Sequence, residues 1–298
     1  MIKNNDTMKK FLALFLALVA LVGCNDEPSM DVVLGGEETC VFSVSIDGDT
    51  LSDGLQVEQT RTASQDLLAL LGDKYEFRYI LQVYHAAGKS TQYFKYSKDL
   101  TVNFNVTLPP TRDYNFVVWA DIVEKSSETN PTPQSEYYTT ENGLDCITIK
   151  NWACNTDLRD AFVGSAQVVN FSSSSVINCV TLTRPFAKLR IVATNANNPT
   201  NGAKKLRVSY PQYIPTGFNA KTGQAVAGVN SQYFFIGIEQ SQNAEKEIFT
   251  DYIFASAEES SINVDVALYD DNNILGMTKR ITVPIARNKI TTIKGDIL

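Results

Sequence analysis

The 298 residues carry 33 Asp and Glu against 26 Lys and Arg, a net charge of −7, with a single histidine. That balance offers no basic surface for phosphate and excludes nucleic acid as a principal partner. One histidine, and no G-x-S-x-G, Walker or dinucleotide motif, leave neither a nucleophilic triad nor a phosphate-binding loop, and a carboxylate pair is the one catalytic set still open; no enzyme, no cofactor and no metal site are expected.

The chain opens on a targeting segment. Lys9 and Lys10 precede an apolar run from Phe11 to Val22. A bilayer crossing needs about 20 apolar residues, so this run is too short to span and reads as a signal peptide over residues 1–23, starting from Met1 or Met8. Its end, "LVGC", resembles the lipobox of bacterial lipoproteins, which implies that Cys24 is lipidated and becomes the first residue. Each buried methylene contributes about 0.8 kcal/mol, so several acyl chains on one cysteine would anchor the protein without spanning. The membrane is thus expected as a partner and the outer membrane as the location. The following "NDEPS" resembles the signal that sends Bacteroidetes lipoproteins to the cell surface, and reads equally well as part of a solvated acidic linker, residues 24–37.

Beyond the linker, alternation with period two recurs, in "VFSVSI" (Val41–Ile46), "FRYILQVY" (Phe77–Tyr84), "VNFNVTL" (Val102–Leu108), "NFVVWADI" (Asn115–Ile122) and "VINCVTL" (Val176–Leu182). It continues in "AKLRIVA" (Ala187–Ala193), "LRVSY" (Leu206–Tyr210), "YFFIGI" (Tyr233–Ile238), "INVDVALY" (Ile262–Tyr269) and "KRITVPI" (Lys279–Ile285). Short strands separated by Asn, Asp, Gly and Pro predict an all-β chain of sandwiches. A two-turn helix is predicted over Ser64–Gly72, with Ser64 as N-cap and Gly72 as stop, and a helical turn over Thr156–Phe162. The polar stretch Glu124–Gly143, with two prolines, predicts an exposed loop. Pro185 cannot donate to a ladder, which places a boundary between an N-terminal sandwich, residues 38–182, and a C-terminal one, residues 183–298.

Four cysteines follow Cys24 and allow three pairings; Cys146 and Cys154 share one irregular stretch, which favours a disulfide between them. Trp119 reads as core, whereas Trp152, in the loop between those cysteines, reads as a platform for a glycan.

"RPFAKLRIVATN" (Arg184–Asn195), "YNFVVWADIV" (Tyr114–Val123), "DAFVGSAQVV" (Asp160–Val169) and the ending "VPIARNKITTIKGDIL" (Val283–Leu298), behind a lipobox, resemble fimbrillin-like proteins of Bacteroidetes, the Mfa and FimA group of type V pili. The resemblance implies two tandem transthyretin-like or immunoglobulin-like sandwiches and a role as pilus subunit, anchor or tip. In polymerising members an arginine-specific protease cuts after the first strand, and a neighbour's strand fills the groove. The matching position is Arg61 in "VEQTRTAS", the first basic residue after Cys24. The ending at "TTIKGDIL" lacks the additional donor segment of polymerising subunits. It suits a subunit that does not polymerise, or one whose last strand doubles as donor.

Two functions are therefore expected in competition. The first is a surface or outer-membrane lipoprotein acting in adhesion or pilus assembly, with other pilus subunits or a host protein as partners. The second is a glycan-binding lipoprotein beside a nutrient importer.

Overall fold

The computed structural model describes residues 36–47, 52–53, 63–86, 88, 90–175, 177, 179–226 and 228–298. Glu38–Leu298 forms one compact unit, and the signal peptide, Cys24 and Arg61 lie outside the described residues. Among the described residues no helix is long and apolar enough to cross a membrane.

The elements run β1 (Glu38–Ile46), β2 (Ser52–Asp53), α1 (Ala63–Leu71), β3 (Tyr75–His85), β4 (Ser90–Ser97), β5 (Thr101–Leu108), β6 (Tyr114–Glu124), β7 (Tyr138–Thr139) and β8 (Ile147–Ile149). A 3₁₀ turn (Asp157–Arg159) precedes β9 (Ala161–Val168), β10 (Val180–Leu182), β11 (Phe186–Ala193), β12 (Lys205–Tyr210), β13 (Gly217–Asn219) and β14 (Gln224–Val226). The chain closes with β15 (Gln232–Gly237), β16 (Lys246–Phe254), β17 (Ser260–Tyr269), β18 (Ile274–Ile285) and β19 (Lys289–Gly295).

The first sandwich stacks the sheet β10-β1-β5 on the sheet β4-β3-β6-β9. The second stacks β16-β11-β19-β2 on β15-β12-β17-β18, so the all-β, two-sandwich expectation holds. Sheet membership changes between Leu182 and Phe186, on either side of Pro185. The short strand β2 nevertheless crosses that line and pairs with β19 in the second sandwich.

Strand β5 shows why simple alternation was readable: Val102, Phe104, Val106 and Leu108 are buried, and the residues between them face water. Strands β3 and β6 differ, being buried on both faces. Phe77, Tyr79, Leu81 and Val83 fill the first core, while Ile80 and Tyr84 enter another. That third core joins Trp119, Tyr138, Ile147, Phe186, Phe218 and Phe254 beneath a small sheet ordered β14-β13-β8-β7, which draws strands from both halves of the chain.

Three expectations are corrected. The helix α1 begins at Ala63, placing Ser64 inside its first turn, although Gly72 does end it at φ +47°, a left-handed conformation that glycine adopts without a Cβ clash. The helical turn expected at Thr156–Phe162 shortens to Asp157–Arg159, because Ala161 and Phe162 are drawn into β9 by pairing with β6. The stretch Glu124–Gly143 is not simply exposed: Ser135, Tyr137 and Tyr138 are buried, and β7 pairs with β8.

Candidate interaction surfaces

Strand β1 is an interior strand. It pairs antiparallel with β5 from Glu38↔Leu108 to Ser45↔Thr101, and in parallel with β10 from Val44↔Val180 to Ile46↔Leu182. Cys40, Phe42, Val44 and Ile46 all point into the first core, and the Phe42 ring stacks on Phe116 at 5.0 Å between centroids. Withdrawing β1 would open an apolar groove with free ladder groups on β5, which any strand of matching alternation could fill.

Where the two sandwiches meet, charge is buried in pairs. The 3₁₀ turn projects Arg159, fully buried, onto Asp251 of β16, whose carboxylate also accepts from Tyr210 Oη at 2.8 Å and from Trp152 Nε1 at 3.1 and 3.2 Å. Arg159 donates further to the Ala153 carbonyl at 2.8 Å and the Tyr252 carbonyl at 3.0 Å. Burial acts to lower the pKa of this guanidinium, but Asp251 together with Tyr138 and Tyr210 outweighs it and leaves the pKa above its ordinary value. Burial, then the same carboxylate, push the Tyr210 phenol well above its ordinary value. Beside it Arg184 forks onto Asp160 at 2.7 to 2.9 Å, again buried. Both pairs are buried and matched, so they fasten the elements that meet here.

Two of the residues singled out above lie in or near this cluster. Trp152 is half-buried, its N–H given to Asp251 and its ring stacked on Tyr210 and edge-on to Phe234 at 6.5 and 6.3 Å, so it is a strut and not an open platform. The Cys146–Cys154 bridge is not formed. Cys40, Cys146, Cys154 and Cys179 are free thiols, with Cys146 exposed before β8 and Cys154 packed against the second core. Trp119, by contrast, is buried as expected.

Exposed aromatic residues stand elsewhere. On edge strand β15, Tyr233 and Phe235 are 55% and 51% exposed, with rings 5.7 Å apart, and Tyr269 of β17 meets Phe235 edge-on at 5.4 Å. Arg207 of β12 lies over the Tyr233 ring at 5.0 Å. The signal was present in "YFFIGI": a strand with Phe234 and Ile236 on one face should carry polar residues on the other, and carries Tyr and Phe instead.

A family model matches residues 33–298. The chain belongs to DUF6562, a family of unknown function. No curated protein matches this DUF6562 sequence. Solved structures that it resembles include the fimbrial anchor protein Mfa2 of Porphyromonas gingivalis, 11% identical over 76% of this chain and 78% of that one, at a TM-score of 0.45. A candidate cell adhesion protein of Bacteroides ovatus is 13% identical over 87% and 93%, at 0.47. A candidate polysaccharide-binding protein of Bacteroides thetaiotaomicron is 11% identical over 79% and 78%, also at 0.47.

Proposed function

We propose that this DUF6562 protein reaches the outer membrane as a lipoprotein through Cys24 and acts in adhesion or pilus assembly by exchange of its first strand, the lipid leaving with that strand on cleavage. The observation that carries this reading is the position of β1. The first described strand after the leader supplies a whole apolar row, Cys40 to Ile46, to the first core, so a strand from another subunit would meet a ready groove between β5 and β10. Cleavage after Arg61 would cut the chain between this strand and α1, whose Leu67 and Leu71 are fixed in the first core and would stay behind. The same cut would free β2 from β19, so the released piece would leave both sandwiches. Withdrawal of four buried side chains is slow unless another strand replaces them, which fits an event coupled to assembly.

The test is the intact mass and N-terminal peptide of the protein recovered from the envelope of a Bacteroides host. A product starting at Thr62 supports strand exchange. A product starting at acylated Cys24, unchanged when subunits assemble, removes the trigger and rejects it.

A further inference from the structure

The outer face of the sheet β15-β12-β17-β18 holds an aromatic island in a cationic frame. The register sets Arg207 opposite Phe235 and Ser209 opposite Tyr233 across β12 and β15, and Asp265 opposite Arg280 across β17 and β18. All of these side chains therefore share one face. Two exposed rings, Tyr233 and Phe235, meet each other, and Phe235 also rests against Tyr269. Arg207 reaches the Tyr269 hydroxyl through Nη1 at 3.3 Å, while its Nε is shielded from solvent and meets no acceptor among the described residues. Asp265, the carboxylate in this register, is forked by Arg280 at 2.7 and 2.8 Å, and its pKa is held below the ordinary value by that pair. Lys205 and Arg207 share this face with Arg280 and Asp265, and Arg207 helps Arg280 to lower the Asp265 pKa.

We infer that this face is a binding site for an acidic glycan, with pyranose rings stacked on Tyr233 and Phe235 and a carboxylate or sulfate received by Arg207 and Lys205. Three observations favour a sugar. Two half-exposed rings offer roughly 200 Å² of apolar surface, far below the ~800 Å² per partner of a stable protein interface, so the island matches a few sugar units better than a protein. The polar C–H face of a pyranose complements the negative face of an aromatic ring, and its hydroxyls pair with planar side chains such as Arg207. Lys205, Arg207 and Arg280 outnumber Asp265 in this register, which favours an anionic occupant. The face lies on the second sandwich, remote in sequence from β1, and its use as a sugar site does not depend on strand exchange.

The experiment is affinity electrophoresis and calorimetry of the full chain with polygalacturonate and heparin, with dextran as a neutral control. The expected result is retardation by at least one acidic polymer and none by dextran. Affinity should fall at least tenfold in Tyr233→Ala/Phe235→Ala, whose residues are too exposed to affect folding strongly. Arg207→Gln should lose the preference for acidic polymer, and Trp152→Ala, where it folds, should retain it. Failure of both acidic polymers to bind, equal binding of dextran, or binding unaltered in the Tyr233/Phe235 variant overturns the inference. So does protection of these two rings by a protein partner instead of a sugar.

Discussion

Removing the carboxylate at the centre of the buried cluster, Asp251→Ala, should be among the most damaging single changes to this protein. Asp251 is 1% exposed and serves Arg159, Trp152, Tyr210 and the Tyr252 amide at once. Breaking a buried pair and stranding the other charge costs about 3–5 kcal/mol. The Tyr210 hydroxyl, which is left without its acceptor, adds about 1–3 kcal/mol. For a chain of this size each kcal/mol lowers Tm by roughly 2–4 °C, so a fall of more than about 8 °C is expected. Differential scanning calorimetry gives that number, and Trp fluorescence follows the release of Trp152. The companion change Arg159→Met removes the charge that Asp251 neutralises, and the double variant separates pair energy from packing, because neighbouring effects do not add. A loss below about 1 kcal/mol for Asp251→Ala would refute the reasoning and mean that water already solvates the cluster.

Other positions give sharper yes-or-no answers. Gly164 of β9 has no room for a methyl: a Cβ there would lie 2.7 Å from Leu182 Cδ2, 2.9 Å from Val180 Cγ1 and 3.0 Å from the Thr181 carbonyl, so Gly164→Ala should cost about 1–3 kcal/mol in urea unfolding. Phe42→Ala, in the proposed exchangeable strand, should cost about 3–5 kcal/mol by the same measurement, and a loss under ~1 kcal/mol would show that β1 is peripheral to the core. In native buffer a thiol reagent should label Cys146 and Cys179 promptly and Cys40 only after unfolding; prompt loss of the Cys146 thiol to a disulfide would contradict the free state. For Asp157, burial raises the carboxyl pKa, but Lys188 and the Tyr252 hydroxyl, both at 2.8 Å, outweigh it and leave the pKa below its ordinary value. The unfolded chain therefore binds this proton more readily, and the stabilisation is complete above about pH 4 and is lost as pH falls. Calorimetry from pH 5 to 3 should show a shallower decline in Asp157→Asn than in the wild type, and a steeper one would reverse the sign.

Much of the architecture was legible because one face of most strands is wet. Val102 to Leu108 alternates in sequence and in burial alike. Strands such as β4 and β16 were harder to see. In "STQYFKYS" the apolar residues do not keep to one face, since the strand is an edge with Phe94 half-exposed. In "KEIFTDYIF" seven consecutive residues are buried, because one face packs into the second core and the other into the third. Periodicity reports a difference between two faces, and a strand buried on both has none to report.

The same limit applies to the polar residues of β3. Glu76, Arg78 and Gln82 occupy alternate positions and suggest a solvent face, yet all three are buried. Each is matched from a distant part of the chain. Arg78 forks onto Asp121 directly across β6 at 2.7 and 2.9 Å and reaches Gln134 at 2.7 Å; Glu76 accepts from the Ser126 amide and Gln82 from the Leu144 amide, both at 2.6 Å. These bonds fasten Glu124–Gly143 over the sheet, turning what composition presents as a free loop into the roof of a polar layer. An unpaired polar group in such a layer would cost about as much as the layer contributes, so the loop and the strand specify each other. That dependence between segments more than forty residues apart is what a pattern read along the chain does not contain.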